Sequence, residues 1–534
     1  MQIIRPLAVS LSAAILFAAG PAAAQFAVGP LDEQGNGPVP PFYQPLLRQT
    51  PGAPADTGAN GAAVPPNGGP LWLIVPRIDG QVEFTDNVLN APSGGRIADV
   101  VTTISPGIYI GGDSPRLTAN LDYSPTVQRF FAVPSQNNVT QNLFLNSIAR
   151  MNPDDTLDLE TSAAAFQSSH DGSFGGLSTS NLNTNDRVST YAVQTSPVAR
   201  THFDSVGDGE LRYVLGETWF GGNTGVTGNG VTAPINNSTN QELRATLDSG
   251  DVGKYVTNRA ELDGQQVDVS NSGVGSSKEA LATDEVQLHL RQNFALLLSG
   301  GWQKLMFSST PADNLNEPTW YGGFLYQPNQ DSEVRVTYGH LDGANSFQGD
   351  LHYSVTPLTT VYADYSQTTT TPQQELLANL NNAVLGPNGT LVSSTTGLPF
   401  NLNNNEFALQ NDVDRLRNYS ASIVTTLATD SFTVTAAHQD VISLTGLTPN
   451  DSATGGSVAW TRQLNELNSL TAEASYYAHD TGHSGTFNAV ATYNHQFGPS
   501  LFGAISFSFT NFDTAVANSS YFRNSLIFSL RKVF

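Results

Sequence analysis

The sequence predicts an all-β protein, a transmembrane antiparallel up-and-down β-barrel of about 22 strands, with even counts from about 18 to about 24 also compatible. Segments of about ten residues with alternating apolar and polar side chains recur along the chain, as expected for strands that face two different environments. Short turns and long polar loops alternate between these segments. Only 13% of the residues are charged. These features are typical of a bacterial outer-membrane barrel and differ from a charged soluble surface.

Residues 1–24 are predicted to be an export signal that is removed from the mature protein. Arg5 supplies the positive charge, and residues 7–19 form the apolar segment. Small residues follow, so cleavage is predicted between Ala24 and Gln25.

The rest of the chain divides into a linker and the barrel. Residues 25–70 are rich in proline, glycine and alanine, which predicts a disordered periplasmic linker. Residues 71–534 are predicted to form the barrel, and they contain no apolar run long enough for a transmembrane helix.

The chain has 46 acidic and 23 basic residues, a net charge of −23, which argues against nucleic acid as a partner. It contains no cysteine, which excludes disulfides, thiolate metal sites and a cysteine nucleophile.

The first alternating segment directly follows the linker. Its apolar face carries Trp72, Ile74, Ile78, Val82 and Phe84, and its polar face carries Arg77, Asp79, Gln81 and Glu83. Such a segment suits a strand with lipid on one side and water on the other. A soluble β-sandwich shows the same alternation, but it rarely sustains so many strands with so few charges.

The end of the chain shows the same alternation. Leu526, Phe528, Leu530 and Phe534 fall on one face, while serine and arginine residues fall mostly on the other. This pattern resembles the C-terminal insertion signal of bacterial outer-membrane barrels, in which a terminal aromatic residue closes the last strand. Lys532 departs from the apolar pattern, although a lysine at a strand end can extend its ammonium group to the interface.

Ten short connections carry turn residues, and longer polar loops lie between them. With both barrel ends in the periplasm, ten turns and eleven outer loops give about 22 strands. The turns lie near residues 111–115, 152–155, 205–208, 248–251, 291–293, 328–331, 356–357, 428–430, 465–466 and 498–499. Proline cannot donate to a strand ladder, so the Ser-Pro steps at Ser105, Ser124 and Ser196 are predicted at bulges or near the membrane boundary.

The longest loop runs from Thr369 to Arg415. Its apolar residues are spaced as on one short amphipathic helix: Leu376, Leu377, Leu380, Val384 and Leu385. Loops of this length are usually functional or disordered. We expect this one to fold into or over the mouth of the barrel and to narrow the pore, because a barrel of this size without a plug leaves a wide lumen. A mobile surface loop is the alternative.

Two groups of residues have the side chains of a metal site, and a simpler interpretation is favoured for each. His479, Asp480 and His483 share one short outer loop, where we expect them to be solvated. The acidic group comprises Asp154, Asp155, Asp158 and Glu160. We expect it to form a turn and part of the polar lumen wall rather than a Ca²⁺ site. No serine, histidine and acid set stands out, so no catalytic residue, metal or cofactor is predicted and the protein is not expected to be an enzyme.

Four stretches near the start of the barrel form a recognisable set: the Thr85-Asp86-Asn87 turn, the Ser105-Pro106-Gly107 step, the alternating segment 117–123 and residues 209–213. Together they resemble the β-barrel porin-2 family, especially its members associated with exosortase/PEP-CTERM and exopolysaccharide gene clusters. The resemblance is clearest over residues 72–220. It implies an outer-membrane barrel that serves polysaccharide export, with polysaccharide and periplasmic export components as partners. The shared motifs are structural, so the family supplies no catalytic residues.

The leading expectation is an outer-membrane channel for polar solutes, with an exopolysaccharide as its cargo. A cation-preferring diffusion porin is the alternative, and lumen arginines facing carboxylates across a constriction would favour it. The inward arginines predicted by the alternation are Arg212, Arg244, Arg259, Arg335 and Arg523. A barrel enzyme or a structural anchor is a further alternative. The other expected partners are outer-membrane lipid and the barrel-assembly machinery.

Overall fold

A computed structural model describes the chain from residue 72 onward. Within residues 72–534 the described parts leave out 155, 170–172, 175–176, 179–181, 183–186, 204–206, 223–224, 229–230, 235, 250–254, 271–275, 309–313, 330, 386–390, 394–412, 445–449, 481–482 and 517–518. The predicted signal and linker, with the cleavage site at Ala24 and Gln25, lie outside the described residues and stay predictions. No helix in the described parts is long and apolar enough to cross a membrane.

The described residues form 22 antiparallel barrel strands, which confirms the predicted fold. Two strands are interrupted, so the sheet consists of 24 segments. The strands are β1 Trp72–Thr85, β2 Asp99–Asp113, β3 Leu117–Tyr123 with Thr126–Phe130, β4 Asn138–Thr140 with Leu143–Arg150, β5 Leu157–Ser169, β6 Arg187–His202, β7 Gly207–Gly222, β8 Ser238–Ser249, β9 Val256–Val269, β10 Ser276–Arg291, β11 Phe294–Phe307, β12 Leu315–Asn329, β13 Ser332–Leu341, β14 Ala344–Thr356, β15 Thr359–Thr370, β16 Asp414–Thr426, β17 Asp430–Ser443, β18 Asp451–Asn465, β19 Asn468–His479, β20 Ser484–Gly498, β21 Leu501–Thr514 and β22 Tyr521–Val533.

The barrel closes because the last strand pairs with the first. β22 runs antiparallel to β1 from the pair Arg77 and Val533 to the pair Thr85 and Ser525. On its other edge β1 pairs with β2. Because the barrel is closed, the backbone N–H and C=O groups of every strand can hydrogen-bond to a neighbouring strand. A sheet within the hydrocarbon layer requires this, since no water is there to bond to.

The two faces of the wall differ as the alternation predicts. On β22, Phe522, Leu526, Phe528 and Leu530 are exposed, while the residues between them are mostly buried. Phe84 of β1 and Phe528 of β22 meet edge to face on the exposed side, with ring centroids 6.1 Å apart. The apolar face therefore points outward, toward lipid, and the polar face points into the lumen.

The two ends of the barrel carry different connections. All ten predicted short turns lie at one end, between β2 and β3 and then between every second pair of strands. Longer loops join most strands at the other end, which is therefore the external end. One external connection contradicts the expected pattern: β13 and β14 are joined by Asp342 and Gly343 alone. Both residues have positive φ, of 54° and 72°, so a tight hairpin turn replaces a loop.

Two of the Ser-Pro steps meet at one gap in the ladder. Pro106 lies within β2, and Pro125 separates the two parts of β3. Register between β2 and β3 stops at the pair Ile108 and Tyr123 and resumes at Ile104 and Val127. Side chains close the gap, since the hydroxyls of Ser105 and Thr126 lie 2.7 Å apart and the Asn142 amide donates to the Ser124 carbonyl at 3.1 Å.

Smaller elements lie in the external loops. A 3-10 turn, Pro134–Gln136, follows β3. Short hairpins pair Ser173–Phe174 with Leu177–Ser178, Gly225–Gly228 with Val231–Pro234, and Ala383–Leu385 with Leu391–Ser393. One α-helix, α1, spans Pro372–Asn382 in the loop between β15 and β16. The predicted helix is therefore present, but Val384 and Leu385 belong to the following strand rather than to the helix.

Candidate functional site

The helix α1 begins with a strong local signal. The Thr371 hydroxyl accepts a hydrogen bond from the Gln374 backbone at 3.3 Å, and the Gln374 side chain accepts one from the Thr371 backbone at 2.9 Å. Pro372 occupies the first turn, where its missing N–H has no partner to lose. This capping box fixes where the chain leaves β15 and turns into a helix about 16 Å long.

The apolar face of α1 packs against the inner wall of the barrel. Leu376, Leu377 and Leu380 are 2%, 2% and 0% exposed. Their cluster includes wall side chains of β4 to β6: Phe144, Ala164, Phe166 and Ala192. The helix thus lies inside the barrel, on the wall opposite the strand from which its loop emerges, because β4 and β15 are half a circumference apart in the ring.

A glycine on β7 makes room for the helix. Gly216 faces inward, and a Cβ added there would lie 2.7 Å from Cδ1 of Leu377. Any larger residue would push against the helix. A polar contact fixes the start of α1 as well, since the Gln374 side-chain amide donates to the side-chain Oε1 of Gln265 on β9 at 2.8 Å.

The base of the loop is tied to the short hairpin between β13 and β14. One carboxylate oxygen of Asp342 accepts from the Thr369 backbone at 3.0 Å, and the other accepts from the Gln303 amide at 2.6 Å. The Arg415 guanidinium donates to the Asp342 carbonyl at 3.1 Å. Asp342 therefore joins both ends of the loop predicted from Thr369 to Arg415. Burial raises the pKa of this carboxyl, which lies in the external turn outside the spanning strands.

The periplasmic half of β1 carries a buried ion-pair network that faces the lumen. The Arg77 guanidinium donates two hydrogen bonds of 2.7 Å to the Asp122 carboxylate on β3 and one of 3.3 Å to Asp79. Arg531 of β22 also donates to Asp79. Each of the four side chains is less than a tenth exposed. The network joins the strands on both sides of the closure, where charged partners hold one another in a site poor in water.

A second charged network lies on β5, β6 and β7. Arg200 pairs with Glu210 at 2.9 Å and with Glu160 at 3.2 Å. Arg212 pairs with the same two carboxylates, and Asp158 accepts from Arg200. Asp158 and Glu160 therefore neutralise arginines on the polar lumen wall, where they form ion pairs rather than a Ca²⁺ site.

The other inward arginines are also held by their own side of the wall. Arg244 pairs with Glu242 at 3.0 Å and with Asp263 at 3.1 Å, and Arg335 pairs with Glu285. The remaining predicted arginines, Arg259 and Arg523, bond to Asp248 and Asn90. These partners lie on the same side of the wall, so the described contacts supply no set of arginines facing carboxylates across the bore.

Among the inward carboxylates outside these ion pairs are two neighbours, one of which, Asp350, has Arg335 as its register partner. Asp350 of β14 and Asp364 of β15 are register partners, so they stand side by side on the lumen face. Beside them His352 and Tyr362 stack with ring centroids 4.9 Å apart. No ion pair to either aspartate occurs among the described residues. This wall therefore presents negative charge to the lumen.

The histidine loop does not assemble a metal site in the described residues. His479 lies 3.3 Å from Asp451, and Asp480 accepts from the Ser452 hydroxyl at 2.6 Å. No group of three or more metal-ligating side chains converges in the described parts of the chain. Another histidine, His438, lies 2.7 Å from the Thr454 hydroxyl and 3.2 Å from Asp440, but on the outer face, away from the lumen.

The residues predicted as an insertion signal share one face. Leu526, Phe528, Leu530 and Phe534 are all exposed on the outward side of the last strand. Lys532 shares that face, and its ammonium donates to the Ser500 hydroxyl at 2.6 Å in the adjacent turn. Recognition of this strand by the assembly machinery stays a prediction.

Sequence reasoning missed two residues that position the loop. Gly216 has a signal of its own, because a glycine inside a strand often marks close approach of another element. Asp342 and the glycine after it form a strong turn dipeptide between two alternating segments. Neither signal says that the helix docks on β7 or that the turn holds the base of the loop.

A closed barrel with an apolar outer face, short turns at one end and longer loops at the other is an integral β-barrel of the bacterial outer membrane. The predicted class and location are therefore confirmed.

No family model and no curated protein match the chain. Among solved structures, the FrpB iron transporter of Neisseria meningitidis is 9% identical with a TM-score of 0.48, covering 86% of this chain and 81% of that one. The siderophore receptor PirA of Acinetobacter baumannii is 8% identical with a TM-score of 0.47, covering 86% and 80%. The ferric-catecholate receptor Fiu of E. coli K12 is 10% identical with a TM-score of 0.44, covering 86% and 81%. Similarities this low carry no conclusion about what this chain does, and the porin-2 resemblance stays a prediction.

Proposed function

We propose that the protein is a channel for polar solutes whose bore is narrowed by the helix α1. The observation that carries the proposal is the docking of Leu376, Leu377 and Leu380 on the inner wall. A ring of 22 strands spaced about 4.8 Å apart and tilted about 40° has a perimeter of about 140 Å. Without an obstruction such a ring passes large solutes freely. A helix about 10–12 Å across removes a substantial part of that opening.

The charges on the wall favour cations over anions. Most described lumen arginines are neutralised by carboxylates beside them, whereas Asp350 and Asp364 have no cation in ion-pair distance. Fixed negative charge in a narrowed lumen attracts cations and repels anions. A cation-preferring channel for small polar solutes is therefore the form of the proposal that the geometry favours.

A polysaccharide cargo is the second candidate. The inner wall of β20 to β22 carries hydroxyl and amide side chains, among them Asn488, Thr492, Ser506, Ser525 and Ser529, which are buried in this structure. Such groups hydrogen-bond sugar hydroxyls without charge once they are uncovered. The resemblance to exopolysaccharide-associated barrels points the same way and adds periplasmic export components as partners.

The test is conductance and ion selectivity in planar bilayers. The wild-type chain is compared with a variant in which residues 372–412 are replaced by a short Gly-Ser linker, which leaves β15 and β16 intact. We expect steady cation-selective steps from the wild type and larger steps from the variant. A folded wild type that never conducts, or a variant with unchanged steps, would contradict the proposal.

The selectivity is tested with matched carboxylate variants. Asp350→Asn combined with Asp364→Asn removes the unpaired lumen charge and should move the reversal potential toward zero. Asp284→Asn is the control, because Asp284 is exposed on the outer face of β10. Equal shifts from both variants would refute lumen charge as the cause. Swelling of proteoliposomes in neutral oligosaccharides of increasing size separates a small-solute channel from a polysaccharide conduit.

A further inference from the structure

The outer face of β7 to β11 carries a groove near the external end of the barrel. Its volume is about 370 Å³. Among the outward residues that line it are Tyr213, Gln241, Gly264, Gln266, Lys278 and Lys304. The groove faces lipid rather than the lumen, so the proposed channel does not use it.

The register of the strands explains the shape of the groove. Gly264 of β9 is opposite Leu243 of β8 and Ala280 of β10, and Ala280 is opposite Lys304 of β11. Small residues therefore make a low apolar floor between a leucine and a lysine. A Cβ added at Gly264 would meet nothing within 4 Å, so the space above the floor is open.

A polar row borders the floor on the external side. Gln241, Gln266 and Lys278 are successive register partners on β8, β9 and β10. The nearest outward acid, Asp268, accepts from the Gln266 amide at 2.8 Å. Both lysines are exposed, and neither has an ion pair or hydrogen bond among the described residues.

The position of the groove sets the depth at which a ligand would sit. Lys278 is the third residue of β10 after the external loop, and Lys304 is three residues before the external end of β11. At about 3.4 Å per residue both ammonium groups lie within about 10 Å of the external rim. The exposed Trp302 is two residues further into the membrane on β11, as expected for an interfacial aromatic.

We propose that this groove binds a phosphorylated glycolipid of the outer leaflet. The chain has only four lysines and a net charge of −23, yet two of those lysines stand together on the lipid-facing surface. Paired ammonium groups at headgroup depth complement a phosphate. The glutamine amides beside them suit a saccharide, and the Gly264 and Ala280 floor suits the start of an acyl chain. The alternative is that the two lysines only extend their ammonium groups into water at the interface. That role would require neither the apolar floor nor the neighbouring glutamine amides.

The test measures retention of bisphosphorylated lipid A by the purified full-length barrel, using native mass spectrometry and exchange in detergent micelles. The probes are lipid A and its dephosphorylated form. Lys278→Gln combined with Lys304→Gln should weaken lipid A binding by about 30-fold, from about fivefold per lysine at a lipid surface. Lys532→Gln is the matched control, since Lys532 is an outward lysine at the periplasmic end and should leave binding unchanged.

A second variant tests the shape of the groove independently of its charge. Gly264→Leu fills the space above the floor without altering any charged group, so it should reduce lipid A binding. Heat-modifiable migration on gels checks that the variant barrel remains folded. Wild-type preference for lipid A over its dephosphorylated form supports a phosphate site. Equal binding of the two lipids, full binding by the lysine double variant, or equal loss in Lys532→Gln would overturn the proposal.

Discussion

Shortening one helix leucine should open the channel. In Leu377→Ala the side chain that fills the space above Gly216 is removed, and truncating a buried leucine costs about 2–5 kcal/mol. Burial of Leu376, Leu377 and Leu380 contributes about 4–9 kcal/mol in all. The conformational entropy lost when the loop is ordered opposes this gain, so the free energy of docking is smaller than the burial contribution alone. A loss of about 3 kcal/mol shifts the docked and undocked populations by about 100-fold.

The assay is single-channel recording of the purified protein in planar bilayers. We expect Leu377→Ala to show larger steps than the wild type, close to those of the variant that lacks residues 372–412. Gly216→Val attacks the same contact from the wall, because its Cβ would lie 2.7 Å from Leu377 Cδ1, and overpacking of this kind costs about 1–3 kcal/mol. It should open the channel partially.

A glycine on the outer face supplies the control. Gly300 lies on β11, and a Cβ added there would meet nothing within 4 Å. Gly300→Val should therefore leave the conductance unchanged. The reasoning is refuted if folded Leu377→Ala conducts like the wild type, or if Gly300→Val raises the conductance as much as Gly216→Val.

Three further outcomes follow from the described contacts. Arg77→Gln leaves buried carboxylates short of a cation and should lower the free energy of unfolding in urea by about 3–5 kcal/mol, whereas Arg259→Gln, whose pair is exposed, should change it by about 0–1 kcal/mol. Burial raises the pKa of Asp342, so the protonated form favours the docked loop. Conductance should then fall as the pH is lowered from that raised pKa toward the ordinary value of about 3.9, and Asp342→Asn should abolish this pH dependence. Thr371→Ala removes the helix cap at a cost of about 1 kcal/mol, so its rise in conductance should be smaller than that of Leu377→Ala; an equal rise would show that the cap, not the leucine contact, limits docking.

Most of the fold could be predicted from the alternation of apolar and polar side chains. On β1 and β22 it separated outward residues such as Phe84 and Phe528 from inward residues such as Asp79 and Arg531. This works because a strand exposes successive side chains to opposite faces, and a barrel wall keeps lipid on one face along its whole height. Turn residues then gave the number of strands, since each short connection needs its own local chemistry.

Local signals failed where contacts join distant parts of the chain. The leucine spacing predicted a helix near Leu376, and the capping box at Thr371 lies within that same segment. The hairpin at Asp342 was missed because outer loops were expected to be long, although the Asp-Gly dipeptide there is itself a turn signal.

The sequence by itself determined the class of the protein: an acidic barrel whose strands, faces and short turns can be read from neighbouring residues. The tertiary structure alone decided where the long loop goes. The contact of Leu377 with Gly216 joins residues about 160 positions apart, and the tie from Asp342 to Thr369 and Arg415 depends on three separate strand ends. Closure of the ring brings these residues together, and a period-two pattern contains no information about which walls then face each other across the lumen.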